Sequence, residues 1–349
     1  MGSDEPRHTL AVHLWAGQVR GALPNGATMM RPVQALRMAG HRRSLRELFV
    51  AAYPRFAPAI RPVEEPGLAV VAIDETTGDA AGIAWLVARV ARPVTAIIGR
   101  HDRCDLFLAA RPELALRQLA VVLEPVTSWV RGSTAIRYRI CDLRTGEPMV
   151  DETGRTLRGL TADGPAIVRC GGYAMYVLPL GDPSDWPPSA EDAWAMLPGR
   201  TYVDALEGGA TGTAGPKLPR SDARATFITR THGPRDTSMR LAQGSTAGTL
   251  ELHSPERQLV LPIGDHALRD GVLLGRYERC DATAAVGDDT SLSRVHALLI
   301  QVGDRLLLVD TASSNGTFDR GERVRLVQLA HDTEVRLGKN TYARWRWLA

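Results

Sequence analysis

The sequence predicts an all-β chain made of two β-sandwiches. Three observations carry this. Short apolar runs rich in Val, Ile and Leu alternate with Gly, Asp and Asn turns about every ten residues, the spacing of sandwich strands. Ile97 to Asp105 matches Leu273 to Asp281, with Arg100 opposite Arg276 at an offset of 176 residues. Between the copies, residues 181–246 are rich in Pro, Gly, Ser, Thr and Ala, a linker composition with little capacity to bury a core.

Along the chain, residues 1–66 form an extension before the first copy. Within it Val33 to Tyr53 has helical spacing, and Arg37, Arg42, Arg43 and Arg46 form its solvated basic face. The first copy spans residues 67–182. The repeat continues as Leu116 to Ala120 opposite Ser293 to Ala297, an offset of 177. It resumes at an offset of 167, with Gly154 to Arg158 opposite Gly321 to Arg325 and Val168-Arg169 opposite Val335-Arg336. The first copy therefore carries about ten extra residues, placed in a hairpin tip within Glu124 to Ala135.

Residues 183–246 read as a flexible linker, with a short helix over Glu191 to Leu197. Thr226, Thr229 and Thr231 fall in this stretch, where a kinase could reach them. A phosphate there could dock on the second copy and switch the protein off. The second copy spans residues 247–349. Its expected strands are Thr249–His253, Gln258–Pro262, Gly271–Leu274, Ala297–Val302, Arg305–Val309, Val324–Leu326, Glu334–Leu337 and Tyr342–Trp347. The last alternates with Trp345 and Trp347 as core anchors and arginines outward.

Composition narrows the function. The 349 residues suffice for two or three domains, and a net charge of +3 gives no strong pull toward nucleic acid or membrane. Of 42 basic residues only Lys217 and Lys339 are lysines, a bias that points to a GC-rich bacterial genome. The start shows no signal-peptide core, and no uninterrupted apolar run reaches membrane-spanning length. Cys104, Cys141, Cys170 and Cys280 lack metal or redox spacing, so buried thiols in a reducing cytoplasm are expected. Asp288-Asp289 reads as a loop cap rather than a metal site. No P-loop, kinase, hydrolase-elbow or zincin motif is present, and neither a cofactor nor an enzyme is expected.

The second copy holds three motifs in fixed order: Gly275-Arg276, Ser293-Arg294-Val295-His296, and Ser313-Ser314-Asn315-Gly316-Thr317. Each falls at a strand end or turn. A phosphothreonine carries nearly two negative charges and three acceptor oxygens. Its binding needs a guanidinium fork, hydroxyl and amide donors, and loops held by a rigid scaffold. These motifs supply all of them.

In that order and spacing, residues 247–349 resemble a forkhead-associated (FHA) domain, and the first copy resembles a degenerate FHA-like repeat. The resemblance implies that Arg276, Ser293, Arg294 and Ser314 contact phosphate and that Asn315 holds the peptide backbone. It implies that His296 supports the loop from within, while Gly275, Gly316 and Thr317 shape the turns. The first copy keeps Gly99 and Arg100. Leu116 stands opposite Ser293, Leu119 opposite His296, and a segment from Asp142 to Glu147, with a carboxylate hostile to phosphate, replaces the Asn-Gly turn. Arg100 and Arg117 alone would make a poor site. The expected function is a cytoplasmic bacterial adaptor that binds threonine-phosphorylated substrates of a Ser/Thr kinase. The alternative is a phosphate-independent scaffold component of a multiprotein machine such as a secretion system.

Overall fold

A computed structural model describes residues 9–12, 43–126, 136–205, 225–232, 240–255, 257–283 and 289–348. The fold is all-β with a few short helices. A strand β1 (Thr9–Val12) and a helix α1 (Leu45–Ile60) precede the first sandwich. That sandwich comprises β2 (Gly67–Asp74), β3 (Ala80–Val87), β4 (Val94–Gly99), β5 (Leu106–Phe107), β6 (Leu119–Leu123), β7 (Tyr138–Asp142), β8 (Val150–Asp151), β9 (Gly159–Ala162), β10 (Ala166–Cys170) and β11 (Tyr173–Leu180). Helix α2 (Ala190–Met196) and strands β12 (Gly199–Asp204) and β13 (Ala225–Thr231) follow. The second sandwich comprises β14 (Thr246–His253), β15 (Gln258–Gly264), helix α3 (Asp265–Asp270), β16 (Val272–Leu274), β17 (Ala297–Val302), β18 (Arg305–Asp310), β19 (Thr317–Asp319), β20 (Glu322–Val324), β21 (Leu326–Leu329), β22 (Glu334–Leu337) and β23 (Thr341–Trp347).

The repeat folds with one topology. The first copy orders its sheets β3-β2-β11-β10-β8 and β9-β7-β6-β4; the second orders them β15-β14-β23-β22-β19 and β21-β18-β17-β16. Alternation builds each core. In β23, Thr341, Ala343 and Trp345 face inward, and Arg344 and Arg346 pair outside with Glu334 and with Glu251 and Asp332. The expected strand Val324–Leu326 is broken at Arg325, where the chain leaves one sheet for the other. There the Arg325 carbonyl accepts Asp310 N–H at 2.8 Å. The extra residues of the first copy do lie between β6 and β7, where the second copy turns tightly through Gly303 and Asp304. Residues 127–135 of that insertion are outside the described residues.

The segment expected to be a linker is partly built into the first sandwich. Strand β13 pairs antiparallel with β9 and parallel with β12, extending that sheet. Arg230 holds Asp151 and Asp204 at 2.8 Å each, which ties the added strands to the older ones. Thr226 is buried and pairs with β12, Thr229 is exposed but paired on both sides, and Thr231 pairs with β9, so all three are fixed in a strand. The expectation of a mobile, kinase-accessible stretch is therefore corrected at these residues.

Helix α1 begins with a complete capping box, Ser44 and Glu47, worth about 1 kcal/mol. It ends at Ile60 rather than Tyr53, although Pro54 and Pro58 each remove a helical hydrogen bond. Burial at helical spacing explains its persistence: Leu48, Phe49, Ala52, Tyr53, Phe56 and Ile60 all pack with the outer face of the β2-β3-β11 sheet. Residues 33–42 of the expected helix lie outside the described residues. Arg43 donates to Thr77 O, and Arg46 pairs with Glu191 on α2.

The two sandwiches share an apolar cluster. The face of β16-β17-β18 turned away from its own core carries Leu273, Leu298, Ile300, Leu307 and Val309. It packs on Ile97, Ala120, Val122, Cys141 and Leu143 of the first sandwich. Arg144 makes a buried bidentate pair with Asp281, and Arg325 reaches Asp105 at 2.6 Å. Three of the cysteines, Cys104, Cys141 and Cys280, lie in this cluster. Burial pushes their thiols up to about 12, about 11 and about 12, so they act as small apolar groups. Among the described residues, no helix is long and apolar enough to cross a membrane.

Candidate functional site

Three connections meet at one end of the second sandwich: β16 to β17, β18 to β19, and β22 to β23. Gly275 ends β16. A Cβ there would stand 2.3 Å from Arg294 O, so the close crossing of the two loop segments requires glycine. The crossing lets Arg276 N–H donate to Ser293 O at 3.3 Å and Tyr277 N–H to Arg294 O at 2.9 Å. Arg276 Nε donates to Leu292 O at 3.0 Å. This bond fixes the guanidinium plane and leaves its Nη edge exposed, the edge that forks onto an oxyanion.

Ser293 is 6% exposed. Its Oγ accepts Ser314 N–H at 2.9 Å, so its own proton is left for an outside acceptor. Its N–H donates to His296 Nδ1 at 3.1 Å. Because Nδ1 accepts, Nε2 carries the ring proton and donates to Gly316 O at 3.1 Å. His296 is fully buried, and burial pushes its pKa below the ordinary 6.5 despite the opposing attraction of Asp310. The ring is neutral and braces two loops against each other.

Asp310 organises the third loop. It accepts Ser313 N–H at 2.8 Å, Ser313 O–H at 2.6 Å and Thr317 O–H at 2.7 Å. Ser313 Oγ then accepts Gly316 N–H at 3.0 Å. Gly316 has φ +86°, and a Cβ there would lie 2.7 Å from Arg323 Nε. Asn315 Nδ2 donates to Ser291 O at 2.7 Å, and Ser291 Oγ accepts Lys339 N–H at 3.0 Å. Asp289 caps Ser291 N–H and Thr341 O–H, each at 2.8 Å. Burial opposes its charge, but the bonds from Ser291 and Thr341 outweigh it and hold the carboxyl below the usual range.

Arg276, Ser293, Ser314 and Asn315 thus converge, with the Ser314 and Asn315 side chains exposed. Arg294 follows Ser293 with its side chain exposed and no bond to the protein among the described residues. Arg323 Nη2 also donates to Ser313 O at 3.1 Å, and this bracing, like that of Asp310, Ser313 and Ser291, was not read from the sequence. The Asp310-x-x-Ser313 spacing, an aspartate able to cap a turn three residues on, was the available signal. Among the described residues, no group of three or more His, Cys, Asp or Glu gathers as a metal would need.

The first copy repeats the frame with a different register from the expected one. Arg100 N–H donates to Ala115 O and His101 N–H to Leu116 O; Arg100 Nε donates to Leu114 O. Each bond duplicates one of the second copy, with the donor at an offset of 176 and the acceptor at an offset of 178, not 177. Ala115 therefore stands opposite Ser293, and Gln118, not Leu119, stands opposite His296. The loop after Asp281 is two residues longer than the loop after Asp105, which residue similarity alone misplaced by one. Gln118 does the histidine's work: its Oε1 accepts Ala115 N–H at 3.1 Å and its Nε2 donates to Glu147 O at 2.9 Å. Asp142 is the counterpart of Asp310 and is turned inward, accepting Arg144 N–H at 2.8 Å. The exposed Glu147 supplies the carboxylate that faces solvent. Arg117 does not face a ligand: it is 7% exposed and both its Nε and Nη2 donate to Ala312 O of the second copy, at 3.1 and 2.8 Å.

No curated protein matches the chain. The Rv1747 FHA-1 structure from Mycobacterium tuberculosis is 22% identical, covering 29% of this chain and 98% of its own, with a TM-score of 0.23. The FHA domain of FhaA, solved with the intracellular domain of Rv3910, is 28% identical, covering 29% and 100%, with a TM-score of 0.24. The FHA domain of CT664 from Chlamydia trachomatis is 22% identical, covering 30% and 100%, with a TM-score of 0.24. The family model described as FHA domain matches residues 272–338, from β16 through the Ser291–His296 and Ser313–Thr317 loops to the end of β22. The C-terminal sandwich of this chain is an FHA domain.

Proposed function

We propose that this protein is a phosphothreonine-peptide-binding adaptor, without catalytic activity, that acts through its C-terminal domain. The observation that carries the reading is the convergence of an anchored, outward guanidinium at Arg276 with the Ser293 hydroxyl, Ser314 and Asn315 on loops braced by His296 and Asp310. Arg276 and Ser293 take the phosphate, Arg294 and Ser314 assist, and Asn315 Oδ1 and its remaining N–H hold the peptide backbone. Partners are threonine-phosphorylated proteins, products of a Ser/Thr kinase of a bacterial cytoplasm.

Calorimetry with a phosphothreonine peptide tests this. Arg276→Ala removes a charge-assisted contact at a partly desolvated site and costs about 2–5 kcal/mol of binding while the fold survives. Arg276→Lys fails largely as well, because a single ammonium cannot reproduce the planar fork. Undiminished binding by the alanine variant would refute the assignment. Binding that ignores the phosphate would favour the scaffold alternative.

A further inference from the structure

The first sandwich lacks the hydroxyl and the Asn-Gly turn of a phosphate site, yet two of its arginines reach the loop that carries Ser314 and Asn315. Arg117 places two N–H donors on Ala312 O, at 3.1 and 2.8 Å. Arg103 Nη1 donates to Ser313 O at 3.0 Å and also to Ser314 O. Three successive carbonyls of the recognition loop thus receive guanidinium groups from a domain about two hundred residues earlier in sequence; Ser313 O also takes a bond from its own sandwich, from Arg323 Nη2 at 3.1 Å. The converse contact is slighter: Arg279, the counterpart of Arg103, touches Arg144 O at 3.5 Å.

We propose that the first sandwich is a positioning partner of the phosphopeptide site, and that Arg103 and Arg117 set its affinity by holding residues 312–314 in the binding conformation. This rests on the phosphothreonine reading given above. The peptide unit is planar and trans, so fixing a carbonyl also fixes the N–H of the next residue on the opposite side. Holding Ser313 O aims Ser314 N–H at Ser293 Oγ, the bond that joins the two halves of the site. Holding Ser314 O orients the Asn315 N–H. The loop also needs this restraint. Ala312 sits at φ +61°, a left-handed conformation that a residue with a Cβ adopts only at a cost of about 1 kcal/mol or more. Two charge-assisted bonds on its carbonyl offset that cost.

Without the clamp the loop spends part of its time in other conformations, and apparent affinity falls by the competent fraction. One such hydrogen bond corresponds to roughly a three- to tenfold loss. The phosphate contacts themselves are untouched, so association slows more than dissociation quickens.

The test uses the full chain. Arg103→Ala is made at an exposed side chain and leaves the fold intact; Arg117→Lys keeps the charge but loses the two-pronged contact on Ala312 O. Amide hydrogen exchange over residues 311–317 is measured in the free protein. Affinity is measured for a twelve-residue phosphothreonine peptide chosen as the tightest wild-type binder from a degenerate set. Expected are faster exchange in that segment, a three- to tenfold weaker affinity for Arg103→Ala, a larger loss for the double variant, and an unchanged melting temperature for Arg103→Ala. Unchanged affinity in Arg103→Ala and in the double variant overturns the proposal, whatever the exchange shows. Unchanged exchange overturns it too. If Arg276→Ala abolishes binding while the clamp variants bind normally, the site reading stands and the clamp falls. If the wild-type chain binds no phosphothreonine peptide, the site reading falls, and the exchange data alone decide whether the clamp orders the loop.

Discussion

His296→Ala is the sharpest probe of how the site is held. The imidazole joins Ser293 N–H to Gly316 O through two bonds of 3.1 Å, and it is fully buried. Truncation leaves the buried Ser293 N–H without a partner, while Gly316 O keeps the bond from Gly338 N–H at 2.9 Å. The unsatisfied donor costs about 1–3 kcal/mol, so local stability falls by about 2 kcal/mol, about thirtyfold in the opening equilibrium. His296→Gln gives the contrast, because the first copy already uses glutamine there. Gln118 accepts from Ala115 N–H and donates to Glu147 O with the same polarity. The glutamine variant therefore costs under about 1 kcal/mol. The two also differ in pH dependence. His296 is neutral when folded, with its pKa below the ordinary 6.5, so the closed loop excludes a proton that the opened loop binds. Its contribution is complete above about pH 6.5 and is lost as pH falls below that value; His296→Gln removes this slope. Hydrogen exchange at Ser314 and Gly316 across this range measures both effects. Glutamine as damaging as alanine, or no acid sensitivity in the wild type, would refute the bracing argument.

Three further outcomes are expected. Matched peptides should bind more tightly with phosphothreonine than with phosphoserine, by about 0.8 kcal/mol or fourfold for one buried methyl; titration of both peptides checks it. The first sandwich should bind no phosphothreonine peptide at useful affinity, since Ala115 has no hydroxyl and Glu147 occupies the turn, so Arg276→Ala in the full chain should leave no phosphate-dependent chemical-shift change around Arg100. Arg144→Met strands Asp281 with only Arg240 at 3.8 Å and the Leu273 amide, costing about 3 kcal/mol; scanning calorimetry should show a melting temperature lower by roughly 6–12 °C.

The sandwich strands and the site motifs were legible in the sequence because both are local. Alternation marked β23, and three short motifs marked loops whose residues the fold brings together. The contact between sandwiches was not read, although a signal existed. Ala297 to Ile300 and Leu306 to Val309 are unbroken apolar runs, which mark a sheet buried on both faces rather than one. Strands β12 and β13 were hidden by their setting: Tyr202-Val203 and Phe227-Ile228 are β-formers inside a stretch whose overall composition is that of a linker. The register of the degenerate copy was out of reach because Gln118 replaces His296 by hydrogen-bond geometry, not by similarity. The same holds for Arg117, whose partner is a backbone carbonyl, a group that leaves no trace in residue identity.

Phosphate-dependent recognition at Arg276 is decided by one titration. The full chain and its Arg276→Ala variant are each titrated with a degenerate peptide library in threonine-phosphorylated and unphosphorylated form. The wild type should bind the phosphorylated pool alone, and the variant neither. Equal binding to both pools, or phosphate-dependent binding that survives in Arg276→Ala, would contradict it.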